Sequence, residues 1–132
     1  MKKLLYFALP VMALLVAWTW TSPKTAGDTA AAPSFKWTKT VHDFGQIKQG
    51  APQTAIFEFT NIGNSPLILS AVNPSCGCTV PEYTKDPIAP GKTGTIKATY
   101  NAAAMGNFNK SITVMSNVGE PVVLFIKGEV VQ

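Results

Sequence analysis

The sequence predicts an all-β protein, an antiparallel β-sandwich of about seven strands. From Phe35 onward, short runs rich in aromatic and β-branched residues are separated by Gly, Pro and Asn clusters about every 8 to 14 residues. No helical period of hydrophobic residues occurs in this region. The chain of 132 residues has room for one compact domain, which excludes a multidomain enzyme.

The first predicted element is a signal helix, within a signal peptide that covers residues 1–27. Two lysines precede an uncharged apolar run from Leu4 to Trp18, which is typical of a secretory signal. The small residues Thr25 and Gly27 suit cleavage after Gly27. The alternative is an uncleaved N-terminal anchor, because the run, when it is continued to Trp20, is near the lower length limit of a membrane span, about 17 residues.

Residues 28–35 are predicted to be a flexible linker, since they are small or polar up to Ser34 and include a proline. Residues 36–132 form the predicted domain. Its clearest strand is Thr54 to Thr60, in which Ala55, Phe57 and Phe59 fall on one face and Ile56, Glu58 and Thr60 on the other. The other predicted strands are Trp37 to Phe44, continued by Gln46 to Lys48; Leu67 to Val72; Gly94 to Tyr100; Ser111 to Met115, extended by Asn107 to Lys110; and Pro121 to Lys127.

The alternation also predicts the core of the sandwich. A domain of this length buries roughly two thirds of its unfolded-chain surface, which is enough for it to fold without a covalent staple. The side chains expected inside are Phe44, Phe57, Phe59, Leu67, Leu69, Ile96, Tyr100, Phe108, Ile112, Val114, Val122 and Leu124.

The net charge of +4 resides mainly in the predicted signal peptide. Cleavage after Gly27 removes three of the eleven basic residues and none of the seven acids, which leaves a net charge of +1. The chain contains no arginine, the residue that most often reads bases in DNA. We therefore expect no nucleic-acid partner, and contact with a membrane only through an uncleaved anchor.

The most specific local feature is the pair Cys76 and Cys78, separated by Gly77 and flanked by two prolines. An immunoglobulin inter-sheet disulfide joins cysteines far apart in sequence, so this spacing favours a looser Ig-like sandwich. If the two cysteines bridge, Gly77 would form the turn. Closing so short a loop removes only about 1.6 kcal/mol of unfolded-state entropy, so the bridge would be a poor staple.

Three hypotheses for this loop remain open at the level of sequence. The loop could be an inert turn or bridge, a thiol-redox site, or a site for Cu(I), which prefers soft thiolate ligands. Additional copper ligands could come from His42, Met105 or Met115. Zinc would need more ligands than the chain clearly offers.

No catalytic residue set is evident, so we expect no enzymatic activity and no cofactor, with copper as the alternative. The stretch His42 to Gly45 contains the letters of the kinase magnesium motif but none of its companion motifs. A P-loop fails at Asp86, which stands where the first glycine of that pattern belongs.

Several motifs in fixed order resemble the Domain of Unknown Function 1573 family over about Val41 to Val131. They are His42-Asp43-Phe44-Gly45-Gln46-Ile47, Phe57-Glu58-Phe59-Thr60-Asn61-Ile62-Gly63, Pro66-Leu67, Ser75-Cys76-Gly77-Cys78-Thr79, Pro87-Ile88-Ala89-Pro90-Gly91 and Ser116-Asn117.

The resemblance implies an exported protein of a kind common in Bacteroidota. It also implies an Ig-like sandwich related to the pilus chaperone, sperm-protein and ciliary ASH/Hydin group. A Cys-Gly-Cys loop is characteristic of the family, for which no catalytic residue is defined.

Taken together, these features predict a non-enzymatic interaction module of the periplasm or cell envelope. Its edge strands or its Cys-Gly-Cys loop would contact another envelope protein. The alternative function is copper binding or thiol-redox exchange through Cys76 and Cys78.

Overall fold

The computed structural model describes residues 32–132, so the predicted signal peptide, its cleavage site and the first half of the predicted linker lie outside the described residues. The described chain is all-β and contains eight strands. They are β1 (Phe35–Trp37), β2 (Val41–Lys48), β3 (Gln53–Asn61), β4 (Leu69–Pro74), β5 (Thr79–Tyr83), β6 (Thr93–Tyr100), β7 (Gly106–Ser116) and β8 (Val122–Val131).

The eight strands form two four-stranded sheets around one core. The first sheet has the order β1-β3-β6-β5, and the second has the order β2-β8-β7-β4. Neighbouring strands are antiparallel except β2 and β8, which run parallel. Apolar side chains from both sheets form a single buried cluster, so the predicted sandwich architecture is confirmed.

Most of the predicted core residues are buried, and two are only partly so. Phe44 lies on the edge strand β2, and Val122 is the first residue of β8, where the sandwich ends. Both pack against the core from its margin. The buried hydrophobic residues that the predicted core omitted are Ile47, Ala55, Val72, Ile88, Ala98, Ala102, Ile126 and Val130.

The predicted first strand, Trp37 to Phe44, is two strands that belong to different sheets. Trp37 pairs with Phe59 in the first sheet, whereas Val41 pairs with Phe125 in the second. The chain crosses between the sheets at residues 38–40. The side-chain pattern reflects this, because the inward positions are odd-numbered in β1 and even-numbered at the start of β2.

Two further differences concern β4 and β5. The predicted strand Leu67 to Val72 is shifted to Leu69–Pro74, and Leu67 forms an isolated bridge to Ile88. The strand β5 was not predicted, because Pro81 interrupts its short apolar run.

The sandwich has two distinct ends, separated by the length of β3, about 27 Å. The chain enters the domain from the predicted linker at one end, which we call the tether end. There, Ala32 N–H donates to Asn64 Oδ1 over 2.6 Å. At the loop end, Asn101 N–H donates to the Cys78 carbonyl over 3.0 Å, and Gly50 N–H donates to the Ala102 carbonyl over 2.9 Å. The cysteine loop and the chain entry therefore lie at opposite ends.

Candidate functional site

The Cys-Gly-Cys loop carries the chain from the second sheet to the first. It joins β4, an edge strand of the second sheet, to β5, an edge strand of the first. The Cys76 and Cys78 sulfurs lie at disulfide distance, and their Cα atoms are 5.3 Å apart, inside the range that disulfides accept.

Hydrogen bonds to neighbouring strands fix both ends of this loop. Ser75 N–H donates to the Ser111 carbonyl over 2.8 Å, and Ser111 N–H donates to Ser75 Oγ over 3.2 Å. On the other side, the Cys78 carbonyl accepts from Asn101. Gly77 is exposed at the tip of the turn, while Cys78 is half-buried against the core. The loop thus presents its glycine to solvent on a rigid base.

Prolines block the free edges of the two strands that flank the loop. On either side of β5, the Cys78 carbonyl accepts from Asn101 N–H, and Thr84 N–H donates to the Thr95 carbonyl. In an antiparallel pair, every second residue directs its backbone N–H and C=O groups away from the neighbouring strand. Pro81 is three residues from both Cys78 and Thr84, so its backbone faces away from β6. Ser75 donates to β7 at Ser111, so Pro74, the residue before it, directs its backbone away from β7. Neither proline offers an N–H to an incoming strand.

His42 lies in β2, at the opposite edge of the second sheet from the cysteine loop. Register places it beside Ile126 and Lys110, so three strand spacings, about 14 Å, separate it from Cys76. The imidazole is half-buried against Phe44, with ring centroids 4.6 Å apart, and Lys39 Nζ donates to Nδ1 over 2.6 Å. Burial lowers the pKa of His42 below 6.5, the Lys39 charge lowers it further, and Asp43 partly opposes both.

The two candidate methionines differ in their position relative to the loop. Met115 pairs with Ala71, five residues before Cys76, which corresponds to about 17 Å along β4. Met105 is exposed in the connection between β6 and β7, at the loop end. Of the three additional ligand candidates, Met105 alone shares the loop end with the cysteines.

Residues 32–132 contain neither a metal-binding cluster nor a membrane-spanning helix. No cluster of three or more His, Cys, Asp or Glu side chains there is arranged to hold a metal ion. No helix in the same part of the chain is long and apolar enough to cross a membrane.

A polar recess on the outer face of the second sheet was not anticipated from sequence. It has a volume of about 390 Å³ and lies where β2, β8 and β7 run side by side. A β-bulge in β2, between Asp43 and Gln46, contains Gly45 with φ +65°. The side chains that line the recess are Asp43, Gln46, Asn107, Asn109, Lys127 and Glu129, together with Gly45, Gly128 and Phe108.

Local bonds hold the β2 side of the recess in place. Asp43 Oδ1 accepts from Gly45 N–H over 2.8 Å, and Gln46 Nε2 donates to Glu129 Oε2 over 3.4 Å. The available signal in the sequence was Asp43-Phe44-Gly45, since an Asp two residues before a glycine often forms such a turn. The partners on β7 and β8 are far away in sequence, so the recess itself could not be recognised.

Solved structures with a similar fold come from bacteria and from human cells. A protein of unknown function from Porphyromonas gingivalis W83 aligns with TM-score 0.67 and 22% identity, covering 76% of this chain and 49% of that one. This chain therefore spans about half the length of that relative. The ASH / PapD-like domain 7 of human CEP192 aligns with TM-score 0.63 and 10% identity, covering 77% of this chain and 88% of that one.

A third similar structure is the YadV chaperone, with TM-score 0.51 and 17% identity over 74% of this chain and 52% of that one. At these identities the likenesses show a shared fold.

No curated protein matches the sequence. The family described as "Protein of unknown function (DUF1573)" matches residues 35–130, which is most of the chain. The chain therefore belongs to the DUF1573 family.

Proposed function

We propose that this chain is a non-enzymatic protein of the periplasm or cell envelope that binds another envelope protein through the loop end of its sandwich. The observation that carries the proposal is the position of the Cys-Gly-Cys loop, at the end opposite Ala32. A tether attached at Ala32 would hold the tether end near its attachment point and direct the loop end away from it.

Export is supported by the sequence before the domain. Two lysines followed by the uncharged run from Leu4 to Trp18 have the order of a secretory signal. A paired-cysteine loop suits an oxidising compartment such as the periplasm. The solved structures with a similar fold include an ASH / PapD-like domain and a chaperone, which fits an interaction module.

The strand edges favour contact through side chains over strand pairing. Edge strands β5 and β4 carry Pro81 and Pro74 on their free sides. Edge strand β2 contains the bulge at Gly45, and β1 is only three residues long. Beside the loop, however, Val80 is 61% exposed, and such an apolar side chain is suited to burial by a partner.

Site-specific photocrosslinking in cells tests the proposed end of the domain. A photoreactive phenylalanine analogue replaces Val80 at the loop end or Ile62, 58% exposed, at the tether end. We expect one discrete adduct from position 80 and none from position 62. Equal adducts at both positions, or none at position 80, would contradict the proposal.

A second candidate function is thiol-redox exchange or copper binding by Cys76 and Cys78. Its support is that two sulfurs lie at disulfide distance beside an exposed turn. In the dithiol state, the two thiolates together with Met105 could hold Cu(I). His42 and Met115 are the other candidates, although strand register places them about 14 and 17 Å from Cys76.

Intact mass with and without alkylation measures the thiol state of the purified chain. Titration of the reduced chain with Cu(I) then measures uptake, with the Cys76→Ser/Cys78→Ser variant as control. Stoichiometric uptake that the control lacks would support the copper function. A permanently oxidised pair without copper uptake would remove this second candidate and leave the interaction proposal intact.

A further inference from the structure

The outer face of the second sheet is divided into an apolar part and a polar part. Val41 pairs with Phe125, and Val123 is the next outward residue along β8. These side chains are 45%, 38% and 42% exposed, respectively. The next outward rows toward the loop end contain the polar recess, beginning with Asp43 beside Lys127.

The recess combines hydrogen-bond donors and acceptors. Asp43 and Glu129 provide carboxylate acceptors, and Lys127 provides an ammonium donor. Three amides, on Gln46, Asn107 and Asn109, can both donate and accept. An anion would be matched by donors alone and a metal cation by acceptors alone. This mixed set matches hydroxyl groups, which also donate and accept.

The formal charge of the recess supports the same class of ligand. Two carboxylates and one ammonium leave a net charge of −1, which disfavours phosphate and sulfate. The ammonium of Lys127 stands between the positions of Asp43 and Asn109 in the sheet, which disfavours a divalent cation. A neutral ligand avoids both penalties.

Phe125 supplies the apolar surface that such a ligand also needs. It lies two residues before Lys127 on the same face of β8, a distance of about 6.7 Å. A pyranose ring has polar hydroxyls at its rim and apolar C–H groups on its faces. A ring lying on Phe125 would place its hydroxyls over the first row of the recess.

We propose that the recess and Phe125 form a binding site for a neutral carbohydrate. Phe125 stacks against one sugar ring, while Asp43, Lys127 and Asn109 hydrogen-bond its hydroxyls. Asn107, Gln46 and Glu129 contact the next sugar unit. This site lies on a sheet face and is independent of the protein contact proposed for the loop end.

Nuclear magnetic resonance titration of the ¹⁵N-labelled full-length chain tests the site. The probes are cellotetraose, chitotetraose and mannotetraose at up to about 20 mM, a concentration that detects millimolar Kd values. We expect at least one probe to produce saturable shifts in the backbone amides of Gly45 and Gly128 and in the side-chain amides of Asn107 and Asn109. No saturable shift with any of the three probes would overturn the proposal.

Paired variants and other ligands separate this site from adventitious contacts. Asn109→Ala and Phe125→Ala should each weaken binding about tenfold. Asn73→Ala and Val123→Ala, on the same face outside the recess, should change Kd less than about twofold. Equal weakening by a control variant would overturn the proposal. So would the same shifts from inorganic phosphate, CaCl₂ or tetraglycine, because they would assign the recess to an anion, a cation or a peptide.

Discussion

Asn61 is a completely buried polar side chain whose hydrogen bonds join three segments of the tether end. Its Nδ2 donates to the Ser65 carbonyl over 2.8 Å and to the Ile88 carbonyl over 2.9 Å. Its Oδ1 accepts from Gly63 N–H over 3.0 Å and from Ser34 N–H over 3.3 Å. A single amide thus satisfies four backbone groups, of which the Ile88 carbonyl is buried and the other three are partly buried.

Replacing Asn61 by alanine should destabilise the domain strongly. The variant leaves backbone donors and acceptors unsatisfied in a buried place, so we expect a loss of about 2 to 4 kcal/mol in the free energy of unfolding. Urea denaturation measures this loss. Asn64→Ala is the matched control, because Asn64 is exposed and should cost less than about 1 kcal/mol. Similar losses from both variants would contradict the assigned role.

His42 should make the stability of the domain depend on pH. Its folded pKa lies below 6.5, so the unfolded chain takes up a proton that the folded chain resists. The free energy of unfolding should therefore fall as the pH decreases from about 6.5 toward the folded pKa, and be restored above 6.5. Denaturation curves at several pH values should show a smaller decrease for His42→Gln than for the native chain.

The neighbouring lysine offers a second check on the His42 prediction. Lys39→Met removes one cause of the lowered pKa, so the His42 pKa measured by nuclear magnetic resonance should rise toward 6.5. An unchanged pKa in this variant would show that the Lys39 charge does not act on the imidazole.

At the residue scale, the sequence identified the cysteine loop but could not describe its surroundings. Gly77 lies in the turn as expected, yet its φ is outside the left-handed region and a side chain there would meet nothing within 4 Å. Conversely, Asn61 was named in the sequence only as one residue of a family motif, just after the clearest predicted strand. Its partners at Ser34 and Ile88 are 27 residues away on either side, and alternation within one strand carries no information about them.

At the element scale, strands with regular alternation were predicted well. Strand β3 has its inward positions at Ala55, Phe57 and Phe59, as the period of two requires. The predicted strands were wrong where contacts with distant segments determine whether a strand forms and which sheet it joins. The chain is divided into β1 and β2 because it passes from the first sheet to the second between them. Strand β5 forms despite Pro81 because it pairs with β6.

Pro81 should protect the β5 edge from self-association. Pro81→Val adds an N–H on the free side of β5 and makes that edge able to pair with another strand. We expect the variant to form dimers or larger species in analytical ultracentrifugation. Pro87→Val, in the exposed connection before β6, should sediment like the native chain. A monomeric Pro81→Val chain would show that the proline is not what protects this edge.

The cysteine loop should contribute little to stability even when its two cysteines are bridged. A closed loop of about three residues removes roughly 1.6 kcal/mol of unfolded-state entropy. The Cys76→Ser/Cys78→Ser variant should therefore lose no more than about 2 kcal/mol in free energy of unfolding. Urea denaturation of both chains with and without reductant measures the difference. A loss well above this value would mean that the bridge is a major structural staple.

At the scale of the whole molecule, the two sheets share one hydrophobic cluster and should unfold together. Ile96 in β6 and Leu124 in β8 are both fully buried, one in each sheet. Their amide hydrogens should exchange at the same slow rate, because each requires global unfolding. Hydrogen exchange measured by nuclear magnetic resonance checks this. A much faster rate at one residue would indicate that its sheet opens independently.

The strand order of the second sheet also determines when the domain can fold during synthesis. Strand β8 lies between β2 and β7, so more than eighty residues are made after His42 before its neighbour in the sheet, Ile126, exists. Until Val122–Val131 leaves the ribosome, β2 has no partner and the second sheet has no centre. The second sheet, and with it the shared core, therefore cannot be completed until this strand has been made.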